Sequence, residues 1–163
     1  MINITNTHST LKDSEFDPIG GLYIHLLRPN RDINEPGKNI KSGISVIKPG
    51  KFVGKLSGRM VAYNSARYWK FDGTNESAFS DSLAASYVLM DFTDLKDKDR
   101  WVIDELELYL IQLVRENFKI ISKIGKGRSE YREIEFTSIE AYETILNKIE
   151  AEMRLKYKLI LKQ

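Results

Sequence analysis

Arg59 and Tyr63 lie four residues apart in a stretch that carries bases and no acid. On a helix this spacing places both side chains on one face. A guanidinium donates hydrogen bonds in a planar fork and keeps its charge, which suits a phosphate group. A nearby tyrosine hydroxyl can position a water molecule or pass a proton. The pair therefore indicates phosphate chemistry, although a surface arginine that packs over a tyrosine has the same spacing.

The acid-free stretch runs from Gly37 to Lys70, and an acid-rich stretch follows it from Phe71 to Glu107. The net charge of the chain is only +2, so the distribution is more informative than the sum. A basic segment can hold a polyanion, or it can be neutralised by the acidic segment within the fold. Both interpretations stay open at this point. The bases of the stretch are Lys38, Lys41, Lys48, Lys51, Lys55, Arg59, Arg67 and Lys70.

Glu107 occupies an unusual position for a glutamate. On a helical wheel it lies about 40° from Ile103, 60° from Leu110 and 20° from Val114, inside an apolar stripe. Burial of an ionised carboxylate costs several kcal/mol unless a cation or hydrogen-bond donors meet it. The pattern predicts either a structural ion pair, with a base such as Arg59 or Lys70, or a functional carboxylate that faces a metal ion.

These side chains require elements that hold them. Gly20-Gly21 opens the apolar run from Leu22 to Leu27, which predicts a strand with Leu22, Ile24 and Leu26 on one face. Tyr23 and His25 share the other face. Further strands are expected over 44–48 (closed by Pro49-Gly50), 68–71, 86–92, 118–124 and 131–136, and helices over 55–64 and 98–117. A final helix is expected after a capping box that starts at Thr137.

The remaining chain divides simply. Residues 28–39 carry prolines, glycine and asparagines and predict a long loop. Residues 1–18 are expected to form a flexible arm, and residues 19–163 a single domain.

No cysteine is present, which excludes disulfides, thiolate metal sites and a cysteine nucleophile. The two histidines, His8 and His25, are too few for a multi-histidine metal site. No apolar run approaches a membrane span and the N-terminus lacks a signal-peptide core, so a cytoplasmic protein without a membrane partner is expected.

The order of these residues resembles the GIY-YIG nuclease family. Gly21-Leu22-Tyr23 is similar to the first motif of the family, and the stretch from Gly54 to Asn64 is similar to the segment that follows the second motif. The helix from Glu107 to Asn117 resembles the glutamate helix with its terminal asparagine. The run from Gly127 to Tyr131 is similar to the branch found in phages and large DNA viruses. The resemblance covers roughly residues 20 to 136.

The second motif permits two alignments. Lys51-Phe52-Val53-Gly54 places Phe52 where the family carries tyrosine and makes Lys55 the following lysine. Ile47-Lys48-Pro49-Gly50 makes that lysine Lys51 and gives a more usual spacing to Arg59. The loop between the first two motifs is also long for the family.

The resemblance implies an α+β fold in which a small three-stranded antiparallel sheet is flanked by helices, with an additional C-terminal strand and helix. It implies a DNA endonuclease with one divalent ion, Mg²⁺ or Mn²⁺, held by Glu107 and water. Arg59 would clamp the scissile phosphate, and Tyr23, helped by Tyr63, Lys51 or Lys55, would orient the attacking water. Further DNA contacts are expected from Lys48, Arg67, Lys70 and Asn117.

Three functions follow from these readings. The first is the endonuclease, for which a double-strand break requires a homodimer or a second binding event. The second is an inactive nucleic-acid-binding module of the same fold, indicated by the missing second tyrosine. The third is a protein-interaction domain in which Glu107 forms a plain ion pair.

Overall fold

The computed structural model describes residues 2–3, 16–35, 38–64, 69–124, 131–134 and 139–162. Within these ranges, none of the helices is both long enough and apolar enough to traverse a bilayer. The strands are β1 Ile2–Asn3, β2 Ile19–Leu27, β3 Ile33–Glu35, β4 Lys38–Ile40, β5 Val46–Lys55, β6 Lys70–Phe71, β7 Leu83–Asp91, β8 Ile120–Ile124 and β9 Tyr131–Ile134. The helices are α1 Leu56–Asn64, α2 Phe79–Ser82, α3 Trp101–Asn117 and α4 Ile139–Leu161.

The larger sheet has the strand order β1-β7-β2-β5-β9-β8, and its paired strands are antiparallel. Its centre, β7-β2-β5, is formed by three of the predicted strands, those expected over 86–92, 22–27 and 44–48. The prediction of an α+β fold with three antiparallel strands and flanking helices is therefore confirmed. β1, β8 and β9 extend this core at both edges, and α4 provides the predicted final helix, whose expected capping box at Thr137 lies outside the described residues.

The two faces of β2 contact different hydrophobic clusters. Leu22, Ile24 and Leu26 pack in a cluster with α3 and α4, whereas Tyr23 packs in a second cluster with α1 and the small sheet described below. This division follows from the alternation of side chains along a strand. The predicted assignment of β2 side chains to two faces is confirmed.

A second, three-stranded sheet has the order β4-β3-β6. Ile33 of β3, Ile40 of β4 and Phe71 of β6 are buried in the second cluster, where they cover the face of β2 opposite α3. The prediction of a continuous loop over 28–39 is therefore wrong. Its prolines and glycine concealed two short strands, β3 and β4, which pair with each other, and β3 also pairs with the distant β6.

β5 is longer than predicted. It continues through Pro49 and Gly50 to Lys55 because its pairing with β2 continues, with Tyr23 opposite Gly50 and Ile19 opposite Lys55. Among the described residues, β5 pairs with β9 only at Val46 and Ile47, so β5 is an edge strand beyond that point, where proline is tolerated. The predicted end at Pro49-Gly50 was wrong.

The described parts of the predicted N-terminal arm belong to the fold. Ile2 and Asn3 pair with β7. The Asp17 carboxylate accepts hydrogen bonds from the Ser57 backbone N–H at 2.9 Å and from the Ser57 hydroxyl at 2.6 Å, at the beginning of α1. These contacts join both described ends of the predicted arm to the fold, its flexibility stays a prediction, and residues 4–15 lie outside the described ranges.

Gly50 provides a test of this packing. A Cβ at Gly50 would lie 2.6 Å from the Tyr23 hydroxyl oxygen, whereas a Cβ at Gly54 would meet no atom within 4 Å. We expect Gly50→Ala to lower the free energy of unfolding by about 1–3 kcal/mol, because the buried Tyr23 ring has no space to shift. Gly54→Ala is the matched control and should change it by less than about 0.5 kcal/mol. Equal midpoints of urea unfolding for the two variants would contradict this account of β2 and β5.

Candidate functional site

A cleft of about 470 Å³ opens where the end of β5, the first turns of α1 and the middle of α3 meet. It contains four of the predicted site residues: Arg59, Glu107, Lys51 and Lys55. The full lining among the described residues is Lys51, Phe52, Val53, Gly54, Lys55, Gly58, Arg59 and Glu107.

The local sequence explains how Arg59 reaches the cleft. β5 ends at Lys55 and α1 begins at the next residue without a loop. Leu56 and Met60, one helical turn apart, are buried in the second cluster and fix α1 against the fold. Arg59 is half-buried beside them, and Lys55 is exposed at the junction. The two bases are therefore positioned by an anchored helix start.

Glu107 is only 3% exposed, and its neighbours on the stripe, Ile103, Leu110 and Val114, are buried with it. Glu105 on the same helix is exposed. The Lys51 Nζ lies 3.4 Å from the Glu107 Oε2, and this buried oxygen accepts no hydrogen bond. A cation does meet the carboxylate, but it is Lys51, which the sequence analysis did not name as its partner.

Lys51 contacts a second carboxylate, because its ammonium also donates to the Asp104 Oδ1. Burial lowers the pKa of Lys51, but the hydrogen bond to Asp104 and the charges of Glu107 and Asp104 outweigh this effect and raise the pKa above its ordinary value. Lys51 therefore remains protonated near neutral pH. In this arrangement its ammonium supplies a positive charge and hydrogen bonds, and it does not act as a general base.

Tyr23 is not brought into the cleft. It is fully buried in the second cluster, its hydroxyl accepts a hydrogen bond from the Lys48 Nζ at 3.2 Å, and its ring centroid lies 6.4 Å from that of Phe52. Orientation of an attacking water by Tyr23, as the sequence predicted, does not fit this burial. The alternation of β2 directs Tyr23 to the face opposite α3 and Glu107.

Lys48 is likewise placed differently from the prediction. It is 1% exposed, faces His25 in the strand register, and its ammonium lies 5.5 Å from the centre of the Tyr23 ring. A surface contact between Lys48 and nucleic acid is therefore wrong. Position in an acid-free stretch did not distinguish this buried lysine from the exposed ones.

Two other predicted DNA contacts that the structure describes, Lys70 and Asn117, are not among the residues that line the cleft. Lys70 lies in β6 of the small sheet, paired with Asn34. The Asn117 amide donates to the Leu113 carbonyl at 2.8 Å, so it caps the end of α3, and its contact with DNA stays a prediction. Arg67 lies outside the described residues. Tyr63 belongs to α1, but its side chain lies outside the described part of the chain.

Asp104 is the site residue that the sequence analysis missed. It is exposed on α3, yet it shares the Lys51 ammonium with Glu107. Its spacing of three residues from Glu107 was the signal that could have identified it, because such residues are neighbours on a helix surface.

The donor set at Glu107 is compatible with a hard divalent cation. Its buried Oε2 accepts no hydrogen bond, and Mg²⁺ takes carboxylate oxygens together with several waters. Within the described residues, no group of three or more histidine, cysteine, aspartate or glutamate side chains converges. An ion in this cleft would therefore be held mainly by one or two carboxylates and by water.

No family model matches the chain, and no curated protein or solved structure shows significant similarity to it. The function is therefore inferred from the chemistry of the cleft and from the sequence motifs.

The contact between Lys51 and Glu107 can be measured by a double-mutant cycle. We expect Lys51→Met to lower the free energy of unfolding by about 1–3 kcal/mol, because it leaves the buried carboxylate without its cation. Addition of Glu107→Gln should recover part of this loss, with a coupling energy of about 0.5–3 kcal/mol. Lys55→Met is the control and should be nearly neutral. Additive effects of Lys51→Met and Glu107→Gln would show that the pair does not interact.

Proposed function

We propose that the protein is a metal-dependent DNA endonuclease, using Mg²⁺ or Mn²⁺, that hydrolyses phosphodiester bonds. The observation that carries this proposal is the shared cleft of Arg59 and Glu107, two residues 48 positions apart that were selected from sequence for complementary parts of phosphate hydrolysis. The resemblance to GIY-YIG nucleases supports the same conclusion.

The cleft suits an anionic ligand. Lys51, Lys55 and Arg59 contribute three positive charges to its lining, against the single negative charge of Glu107. Arg59 can hold a phosphate with paired hydrogen bonds, and the exposed Lys55 at the β5–α1 junction can contact a neighbouring phosphate as a point charge. Attraction of this kind is not sequence-specific, so it favours a backbone contact.

Glu107 would hold the divalent ion, and when bound this ion supplies charge stabilisation to the leaving oxygen and the phosphoryl group. Arg59 supplies hydrogen bonds to the charge that develops on the phosphoryl oxygens. The water-orienting role falls to Tyr63, the partner of Arg59 in the sequence analysis.

A second candidate function is DNA binding without cleavage. Two observations favour it: the Tyr23 hydroxyl is buried against Lys48, and Phe52 occupies the place of the second tyrosine in one of the two alignments. A module of this kind would keep the basic cleft and lack water activation. In either case we expect DNA as the partner and the cytoplasm as the location of the protein.

Conversion of supercoiled plasmid to nicked circles tests the endonuclease. We expect cleavage with Mg²⁺ or Mn²⁺ and none with EDTA, and Glu107→Ala and Arg59→Lys should each reduce the rate by about 100-fold or more. Glu105→Gln is the matched control, because it removes an exposed acid from the same helix. Cleavage that persists in Glu107→Ala would remove the metal role from this residue.

DNA binding separates the remaining candidates. Binding that weakens steeply with salt, without cleavage by the unmodified protein, would support the second candidate. The absence of both would leave a protein-interaction domain in which Glu107 and Lys51 form a structural pair. Linear product that accumulates with the nicked form at high protein concentration would indicate that two copies cooperate in a double-strand break.

A further inference from the structure

Asp104 and Glu107 lie one turn apart on α3 and share a single ammonium group. The Lys51 Nζ donates to Asp104 Oδ1 and lies 3.4 Å from Glu107 Oε2. The two carboxylates have different surroundings, because the Glu107 side chain is 4% exposed and that of Asp104 is 54% exposed. Of the three residues, Lys51 and Glu107 line the cleft.

The charges of this cluster do not balance. Two carboxylates and one ammonium sum to −1, and the buried Glu107 Oε2 accepts no hydrogen bond. A divalent cation in place of the ammonium would neutralise both carboxylates and give the buried oxygen a direct ligand bond. Mg²⁺ and Mn²⁺ are commonly bound through one or two carboxylates, with waters completing the coordination.

Lys51 is able to leave this position. Its side chain is 25% exposed and lines the cleft, so its ammonium can move towards solvent on a flexible four-carbon stem. Glu107 has no such freedom, because it is held within the apolar stripe of α3. The flexible Lys51 side chain thus faces the Glu107 carboxylate, which packing holds in place.

We propose that Lys51 is an internal counter-ion that a divalent cation displaces, and that Asp104 is a second carboxylate that faces the bound ion. This inference rests on the metal site of the proposed function and adds two residues to it. Lys51 holds the carboxylates together in the metal-free protein. Metal binding therefore includes the rupture of the contacts between Lys51 and both acids.

Competition of this kind has a specific signature in metal affinity. Removal of Lys51 should tighten metal binding, because the ion no longer displaces an ammonium. Removal of any other base in the cleft should act only through its long-range charge, which solvent and salt screen. Lys55 provides the comparison, since it lines the same cleft and carries the same charge. Among the described residues, it forms no ion pair with Asp104 or Glu107.

The experiment measures Mn²⁺ binding to the full chain without DNA, by electron paramagnetic resonance of the free ion. We expect Lys51→Met to lower the Kd about tenfold and Lys55→Met to change it less than about threefold. Asp104→Asn should raise the Kd about tenfold, because it removes a charged oxygen that faces the ion. Glu105→Gln should leave it unchanged.

The Kd measurement on each variant can overturn the proposal. Equal tightening in Lys51→Met and Lys55→Met, or none in Lys51→Met, would reject the counter-ion role. A Kd for Asp104→Asn equal to that of the unmodified protein would reject the second carboxylate. If Lys51→Met does not fold in EDTA, we expect Mn²⁺ to restore its circular dichroism, and failure to do so would reject displacement.

The outcome is independent of cleavage. Mn²⁺ affinities that follow the expected order in a protein that never nicks plasmid would support the metal site and reject the nuclease. Metal-dependent nicking with an unchanged Asp104→Asn affinity would support the nuclease and reject the added residues.

Discussion

A single buried carboxylate constrains the arrangement of α3 and β5. Glu107 lies within the apolar stripe that anchors α3 to the sheet, so it is carried into the interior together with Ile103 and Leu110. An acid in that position requires a cation, and Lys51 provides it from β5. Because a shift of one residue in a strand moves a side chain to the other face, the ion pair and the β2–β5 register depend on each other.

The alternation of β2 determines which polar groups can share a site. Its two faces separate two hydrophobic clusters, with α3 on one side and the small sheet on the other. Tyr23, His25 and Lys48 fall on the second side and form a buried polar group, in which Lys48 donates to Tyr23 and His25 bonds to Ser86 at 2.5 Å. The cleft forms instead where β5 continues into α1 and passes α3, which explains why Arg59 and Glu107 meet without Tyr23.

Local periodicity was sufficient to predict much of the fold and the burial of one site residue, Glu107. The strand period placed Tyr23 opposite Leu22, and the helical period placed Glu107 in the stripe, because both depend on near neighbours in the chain. Long-range pairing was not accessible in this way. The pairing of β3 with β6, the continuation of β5 past Pro49, and the identity of Lys51 as the partner of Glu107 all depend on residues distant in sequence. Lys48 and Lys55 look alike in the acid-free stretch, yet one is buried and the other exposed.

A purely structural role for Glu107 explains why its carboxylate is buried, but it does not explain why the carboxylate lies at a cleft with Arg59 and Lys55. Buried ion pairs are often no more stabilising than well-packed apolar residues of similar volume, so stability alone does not favour an acid on this stripe. The carboxylate also opens onto a cleft that Arg59 and Lys55 line. Departures from the apolar pattern of this kind are expected where a protein sacrifices stability for a site. The position of Glu107 at the wall of a basic cleft therefore favours a ligand that uses both charges, namely a phosphate together with a cation.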